Sequence, residues 1–464
     1  MNSLRSAADN ASSLLIRGGD LVESTSSRRK DIRIIDGVVA EVGANLPIGT
    51  EPIIDADGLR ILPGVIDAHC HQWEQGMASR PDFRDDSAAA AVGGISTLID
   101  MPLTPPEIVD ASRFRVKVDL GERTSLIDFG LHAGASPDRI DCMADVWAAG
   151  ATGFKLFTCD TGVEMRGFIR EGDLRRALET VARLDAIALV HAEDQSILDR
   201  NRTTLISAGR RDHAAFSDWH SVEAEHHAIG CVLRFAGETG ARVYFVHASL
   251  PEGIARIAAA RARGVRVSVE TCPHYLVLTD ADIAKYGPWA TCAPPVRDSK
   301  RRDGLRKLLG SEIDVIASDH NTVRRESKQA GERDPFAGQP GLPGNEVMLP
   351  LLLELVAEGV LTLERCVALL CEHPARLFGL SARKGFLKPG WDGDAVLVNL
   401  DEVTLPHGAT MRCRAGWTPY EGKRLRGRVV QTFVRGRCVA RDGVPIAPPG
   451  FGQFVARGPS PLSA

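Results

Sequence analysis

The sequence predicts an α/β chain: a (β/α)8 TIM barrel in the middle and a small β-sandwich domain built from both chain ends. Three observations predict it. Eight short apolar runs alternate with helix-like stretches between residues 64 and 319, the rhythm of a parallel sheet. Strand-like texture with turn residues fills residues 14–62 and returns over residues 388–445. Five of the eight central runs carry a candidate metal ligand at or near their C-terminal end, where barrel enzymes place their active sites.

The elements follow in order. Leu14–Gly19, Ile32–Gly37 and Val38–Val42 read as strands, and Asp36-Gly37 between two apolar runs is a hairpin signal. The central runs are Gly64–His71, Ile95–Pro102, Ile127–Ala133, Thr152–Phe157, Ile187–His191, Arg242–His247, Val265–Cys272 and Asp314–Asp319. Glu252–Arg263 and Leu305–Leu309 are helix-like stretches in the gaps. No strand is followed by a Gly-rich dinucleotide fingerprint, which counts against a nucleotide-binding doubly wound sheet. The polar, Gly/Pro-rich segment Asn321–Asn345 is either an active-site loop folded over the barrel mouth or a disordered insertion. Asp394–Val398 and Val429–Gly436 close the chain with further strands. The expected division is residues 14–62 plus 388–445 for the β-domain and 63–387 for the barrel.

With 464 residues the chain can form one large domain and a smaller one. A net charge of −4 argues for neither nucleic acid nor membrane partners. The ten Cys show no C-x-x-C pair, as in a reduced intracellular chain. Met1–Ser13 lacks the apolar core of a secretory signal, and no run of about 18 apolar residues exists. The expectation is a cytoplasmic enzyme.

His69 and His71 alternate on one strand tip, so both imidazoles can reach one metal. With His191 and His247 they can supply two metals with two imidazoles each, and Asp319 adds an anionic oxygen. Lys155 is intelligible in such a site only if CO₂ carboxylates its amine, because an ammonium repels a cation. With a carbamate and a bridging hydroxide the site carries roughly one positive charge, against about three with an ammonium. A shared hydroxide would attack a polarised carbonyl, with Asp319 as base and then acid. The reaction class is hydrolysis of an amide or related C–N bond.

These residues stand in motifs that resemble the amidohydrolase superfamily, in its cyclic-amide branch of allantoinases, dihydroorotases and hydantoinases or dihydropyrimidinases. The motifs are Asp67-Ala68-His69-Cys70-His71, Gly153–Phe157, Val190-His191-Ala192-Glu193, Val246–Ser249, Glu270–Leu276, Ala317-Ser318-Asp319-His320 and Pro389–Ala395. The resemblance covers nearly the whole chain. It implies a binuclear centre of Zn, Mn, Co or Fe bridged by carboxylated Lys155, a small cyclic amide as substrate, and a homo-oligomer, dimer or tetramer. Dihydroorotases usually have an Arg and an Asn where this chain has Trp73 and Ala293; hydantoinases usually have a Tyr where it has Asp160. Ile99–Pro102, Cys292–Arg297 and Lys155–Val163, with Thr161, are closer to allantoinases. Trp73-Glu74-Gln75-Gly76 and Asn321-Thr322 depart from them and leave other rings open. Two further readings are an inactive scaffold and a one-metal deacetylase-like relative.

Trp73, Thr161, His274, Ala293 and His320 are the expected substrate contacts, while His132, His274 and His320 can equally be structural. His213, His226 and His227 read as surface residues, and Cys70 should point into packing. Cys272 and Cys292 lie near the mouth without a ligand partner in sequence.

Overall fold

A computed structural model describes residues 12–72, 83–103, 107–161 and 168–458. Its central strands are β1 (Val65–His71), β2 (Ile95–Asp100), β3 (Asp128–Leu131), β4 (Phe154–Phe157), β5 (Ile187–His191), β6 (Arg242–Phe245), β7 (Val267–Thr271) and β8 (Val315–Ile316). They run parallel in two ladders, in an α/β chain. One ladder orders His320–Asn321, β1, β2 and β3; the other runs from β8 back through β4 to Ala133–Gly134. Residues 128–134 and 315–321 each contribute to both ladders.

Helices occupy the gaps between strands. Pro251–Ala262 starts with Pro at its first turn and buries Ile254, Ile257 and Ala260 along one face. Val222–Thr239 is capped by Ser221, whose Oγ accepts from the Ala224 N–H. It ends at Gly240, whose φ of 71° only glycine adopts freely. Its stripe Ala224, Ala228, Val232 and Ala236 packs inward and carries Glu225 with it.

The strand interior is apolar. Ile66, Ala68, Ile99, Met101, Ile187, Leu189, Tyr244, Val246, Val315 and Ala317 form one buried cluster, joined by Phe378, Leu380 and Val455. Alternation from Ile66 and Ala68 would send His69 and His71 to the opposite face. A register shift between Asp67 and Cys70 reverses that parity. Both imidazoles consequently reach the pocket described below, and Cys70 is buried in the outer core.

Strands from both chain ends share one nine-stranded sheet. They join where Arg60–Pro63 pairs antiparallel with Ala395–Val398. Its hairpin turns at Asp36 (φ 50°) and Gly37 (φ 84°), the two left-handed positions of a type I′ turn. The segment Asn321–Asn345 is folded: it contains the helix Arg325–Arg333. Its Gly341 N–H donates to Thr291 O at 3.0 Å, and its Asn321 N–H to Leu342 O at 3.0 Å. Among the described residues, no helix is long and apolar enough to cross a membrane.

Candidate metal centre

The ends of β1, β4, β5, β6 and β8 converge. His69, His71, Lys155, His191, His247 and Asp319 line one pocket, with Leu103, Phe157, Thr161, Cys292, Ala293, Asn321, Pro340 and Gly341 completing its described wall. His69 Nε2 and His71 Nε2 lie 3.1 and 3.2 Å from Asp319 Oδ1. His191 Nδ1 lies 3.0 Å from His247 Nε2.

Two of these residues reach the pocket through left-handed backbone, His247 at φ 37° and Asp319 at φ 47°. For a residue other than glycine this costs on the order of 1–3 kcal/mol, so the surroundings must hold it. The His247 N–H donates to Glu270 Oε1 at 2.8 Å. Beside Asp319, the Ser318 N–H donates to Asp67 Oδ1 at 3.0 Å, and the His320 N–H to Ser318 Oγ at 2.9 Å.

Burial sets the protonation states. It pushes His71 down to about 3 and lowers His191 and His247, so these rings are neutral and keep a lone pair. Burial opposes the charged form of His69 too, but the carboxylates of Glu270 and Asp319 outweigh it and hold that ring above its ordinary pKa. The Asp319 carboxyl, which burial alone would raise, is held well below the usual range by His69, His71 and His247. Buried Lys155 is lowered to about 8 by desolvation, and its Nζ stands 5.0 Å from the centre of the Phe157 ring.

The donor set suits a divalent cation, and His247 shows why. His191 Nε2 stands 2.9 Å from Glu193 Oε2, an acceptor, so that nitrogen carries the proton and Nδ1 is a lone pair facing His247 Nε2. His247 Nδ1 is buried with no hydrogen-bond partner. Whichever nitrogen of His247 carries its proton, one buried nitrogen is left unsatisfied, at about 1–3 kcal/mol. A cation would take the lone pairs of His191 Nδ1 and His247 Nε2, which face each other at 3.0 Å whenever the His247 proton sits on Nδ1. His69, His71 and Asp319 offer ligand atoms within 4.8 Å of one another.

The expected substrate contacts divide. Thr161 and Ala293 are on the pocket wall. Trp73 lies outside the described residues. His320 is not brought to the wall: it is fully buried, its Nε2 lies 3.1 Å from Asp86 Oδ1, and its Nδ1 accepts from the Gly344 N–H at 3.0 Å. His274, also off the wall, stacks edge-on against Tyr275 and is lowered to about 4 by burial. Sequence reasoning gave no role to Glu193, His220 and Glu270. The signal for the first was available, because Glu193 follows His191 by two residues.

Residues 60–439 match the model of the amidohydrolase family. The chain is 34% identical to an L-hydantoinase of Paenarthrobacter aurescens over 96% of this chain and 98% of that protein. It is 36% identical to an allantoinase of Rubrobacter xylanophilus, over 95% and 97% respectively. The solved L-hydantoinase (dihydropyrimidinase) of Arthrobacter aurescens superposes with a TM-score of 0.93 at 34% identity, covering 96% of this chain and 99% of that one. A solved D-hydantoinase superposes at 0.89 with 28% identity.

Proposed function

Because the chain belongs to the amidohydrolase family, we propose that it hydrolyses a C–N bond of a cyclic amide or ureide, with allantoin as the leading substrate. The observation that carries the reading is the convergence of four imidazoles, Lys155 and Asp319 on one pocket. Members of the family generally use a binuclear divalent metal site. Here His69 and His71 would hold one ion and His191 and His247 the other, with Asp319 on the first. When bound, two ions (Zn, Mn, Co or Fe) acidify a water and polarise the scissile carbonyl. We read the two ladders as one eight-stranded barrel, residues 63–387, beside a β-domain of residues 14–62 plus 388–445.

The chain's own residues supply the rest. Lys155, at about 8, has roughly a tenth of its amine neutral at pH 7, and the neutral amine is the form that CO₂ carboxylates. A carbamate would replace a repelling ammonium with an anion able to offset the charge of the bound cations. Asp319, ionised, takes the proton of the attacking water and delivers it to the leaving nitrogen. Thr161 and Ala293 meet the ring, and Pro340 and Gly341 bring the Asn321–Asn345 segment to the same wall.

A second reading, a substituted hydantoin, is favoured by the apolar wall of Leu103, Phe157, Ala293 and Pro340 and by the L-hydantoinase superposition. Dihydroorotate is disfavoured, because Ala293 cannot bond a carboxylate. A turnover panel of allantoin, 5-substituted hydantoins, dihydrouracil and dihydroorotate decides. Ring opening of allantoin supports the leading reading; of hydantoins alone, the second. Inactivity of the two-metal enzyme on all of them overturns both.

A further inference from the structure

The two pairs of imidazoles are anchored from behind by different carboxylates, through opposite ring nitrogens. Glu270 Oε1 lies 2.8 Å from His69 Nδ1, which leaves His69 Nε2 facing the pocket. Glu193 Oε2 lies 2.9 Å from His191 Nε2, which leaves His191 Nδ1 facing the pocket. A carboxylate on one nitrogen fixes the tautomer and turns the other nitrogen into the ligand. His71 and His247, the second member of each pair, have a buried Nδ1 without a partner. Each pair therefore contains one clamped and one unclamped ring.

The clamps differ in reach. Glu270 is shared: besides His69 it accepts the His247 N–H at 2.8 Å and the Tyr244 hydroxyl at 2.7 Å. It thus holds a ligand of one pair by its ring and a ligand of the other by its strained backbone. Glu193 touches one pair only. Behind it stands His220, whose Nδ1 lies 3.0 Å from Glu193 Oε1. His220 is held in turn by Arg297, whose Nη1 donates to His220 O at 2.6 Å while its Nη2 pairs with Glu225 at 2.9 Å. Glu193, His220, Arg297 and Glu225 are all buried, so this chain of contacts has little freedom to re-form around a missing member.

We propose that Glu193, backed by His220 and Arg297, is a positioning residue that sets the affinity of the His191/His247 metal alone, whereas Glu270 sets the affinity of both metals. The inference rests on the binuclear reading above. It makes the two ions separable: the ion held by His191 and His247 depends on a buried network that the other does not use.

The test is metal content of the purified zinc-loaded enzyme, titrated with a chelator and followed by elemental analysis. Wild type should hold two ions per chain. Glu193→Gln, which keeps the shape but not the charge, should release one ion at chelator about 10–100-fold lower than wild type and keep the other. Glu270→Gln should release both early. Glu193→Asp, which keeps the charge, should fall between wild type and Glu193→Gln. Equal loss of both ions from Glu193→Gln, or no change, would overturn the inference while leaving the binuclear reading intact. A wild type without metal would overturn both.

A readout on the wild type covers variants that fail to fold. Histidine-¹⁵N spectra of the zinc enzyme should contain at least one ring metallated through Nδ1 and one through Nε2. Metallation through a single type of nitrogen would sink the opposite-clamp arrangement.

Discussion

Lys155 lies in a four-residue strand that is buried throughout, among imidazoles, and desolvation brings its amine to about 8. Lys155→Ala should lower metal content from about two ions per chain to below one, with partial recovery when short carboxylic acids replace the carbamate. Unchanged occupancy would refute its role. Asp319→Asn should keep the fold and lose at least about 100-fold in kcat, the lower range for a positioned acid–base group. Near wild-type kcat would show that another group moves the proton. His132 gives a pH test at a ring that is not itself a candidate ligand. Its Nε2 donates to Ala68 O at 3.1 Å, its Nδ1 faces Thr152 Oγ1 at 2.9 Å, and burial pushes it to about 3. The unfolded ring titrates near 6.5, so below that pH the unfolded chain takes a proton that the native ring refuses. Stability from this site is complete above about 6.5 and is lost as pH falls toward 3, at about 1.4 kcal/mol per unit. Urea unfolding at pH 7 and pH 5 should show wild type losing about 2 kcal/mol more than His132→Asn. Equal losses would refute the assignment.

At the scale of elements, each candidate ligand was legible because it lies at or near the end of an apolar run, and Ile187–His191 coincides with its strand. What pattern could not show was the backbone that aims them. The bulge in β1 reverses side-chain parity, and the run Asp314–Asp319 shortens to Val315–Ile316 because Asp319 leaves the ladder in a left-handed conformation. Glu193 and His220 were illegible as a pair because their contact depends on the turn before Val222–Thr239 crossing the end of β5. His320 looked like a mouth residue by position and is held off the pocket wall because Asp86, from the helix Phe83–Val92, meets its ring. The close approach of β4 to β5 offers an element-scale test. A Cβ on Gly153 would stand 2.4 Å from Leu189 Cδ1 and 2.9 Å from Ile187 Cγ2. Gly153→Ala must displace the Leu189 and Ile187 side chains or push β4 away from β5 and carry Lys155 with it. The expected result is a loss of about 1–3 kcal/mol in stability together with reduced metal content. Lost stability with full metal content would mean that Lys155 tolerates the shift.

At the scale of the whole molecule, the parallel ladders and the nine-stranded sheet meet at a buried group of charges. Lys384 Nζ lies 2.6 Å from Asp128, 2.9 Å from Asp392 and 2.8 Å from Asp394. Arg435, from the strand Leu425–Val434 and its turn, also pairs with Asp128. Asp128 begins β3 and Asp394 directly precedes the strand Ala395–Thr404, so one ammonium ties the two sheets together. The C-terminal segment joins the same point, with the Gln453 N–H donating to Asp128 Oδ1 at 2.9 Å and the Val455 N–H to Phe129 O at 2.8 Å. Three carboxylates could suggest a metal site, but the two cations already among them make it an ion-pair cluster. Removing one partner of such a cluster leaves uncompensated buried charge, which costs about 3–5 kcal/mol. Lys384→Met should therefore lower the unfolding free energy from urea titration by that amount, and adding Asp394→Asn should restore part of it, since the second change removes one of the stranded carboxylates. Full stability of Lys384→Met, or a double variant with strictly additive losses, would show that the sheets are held together by their apolar contacts and not by this cluster.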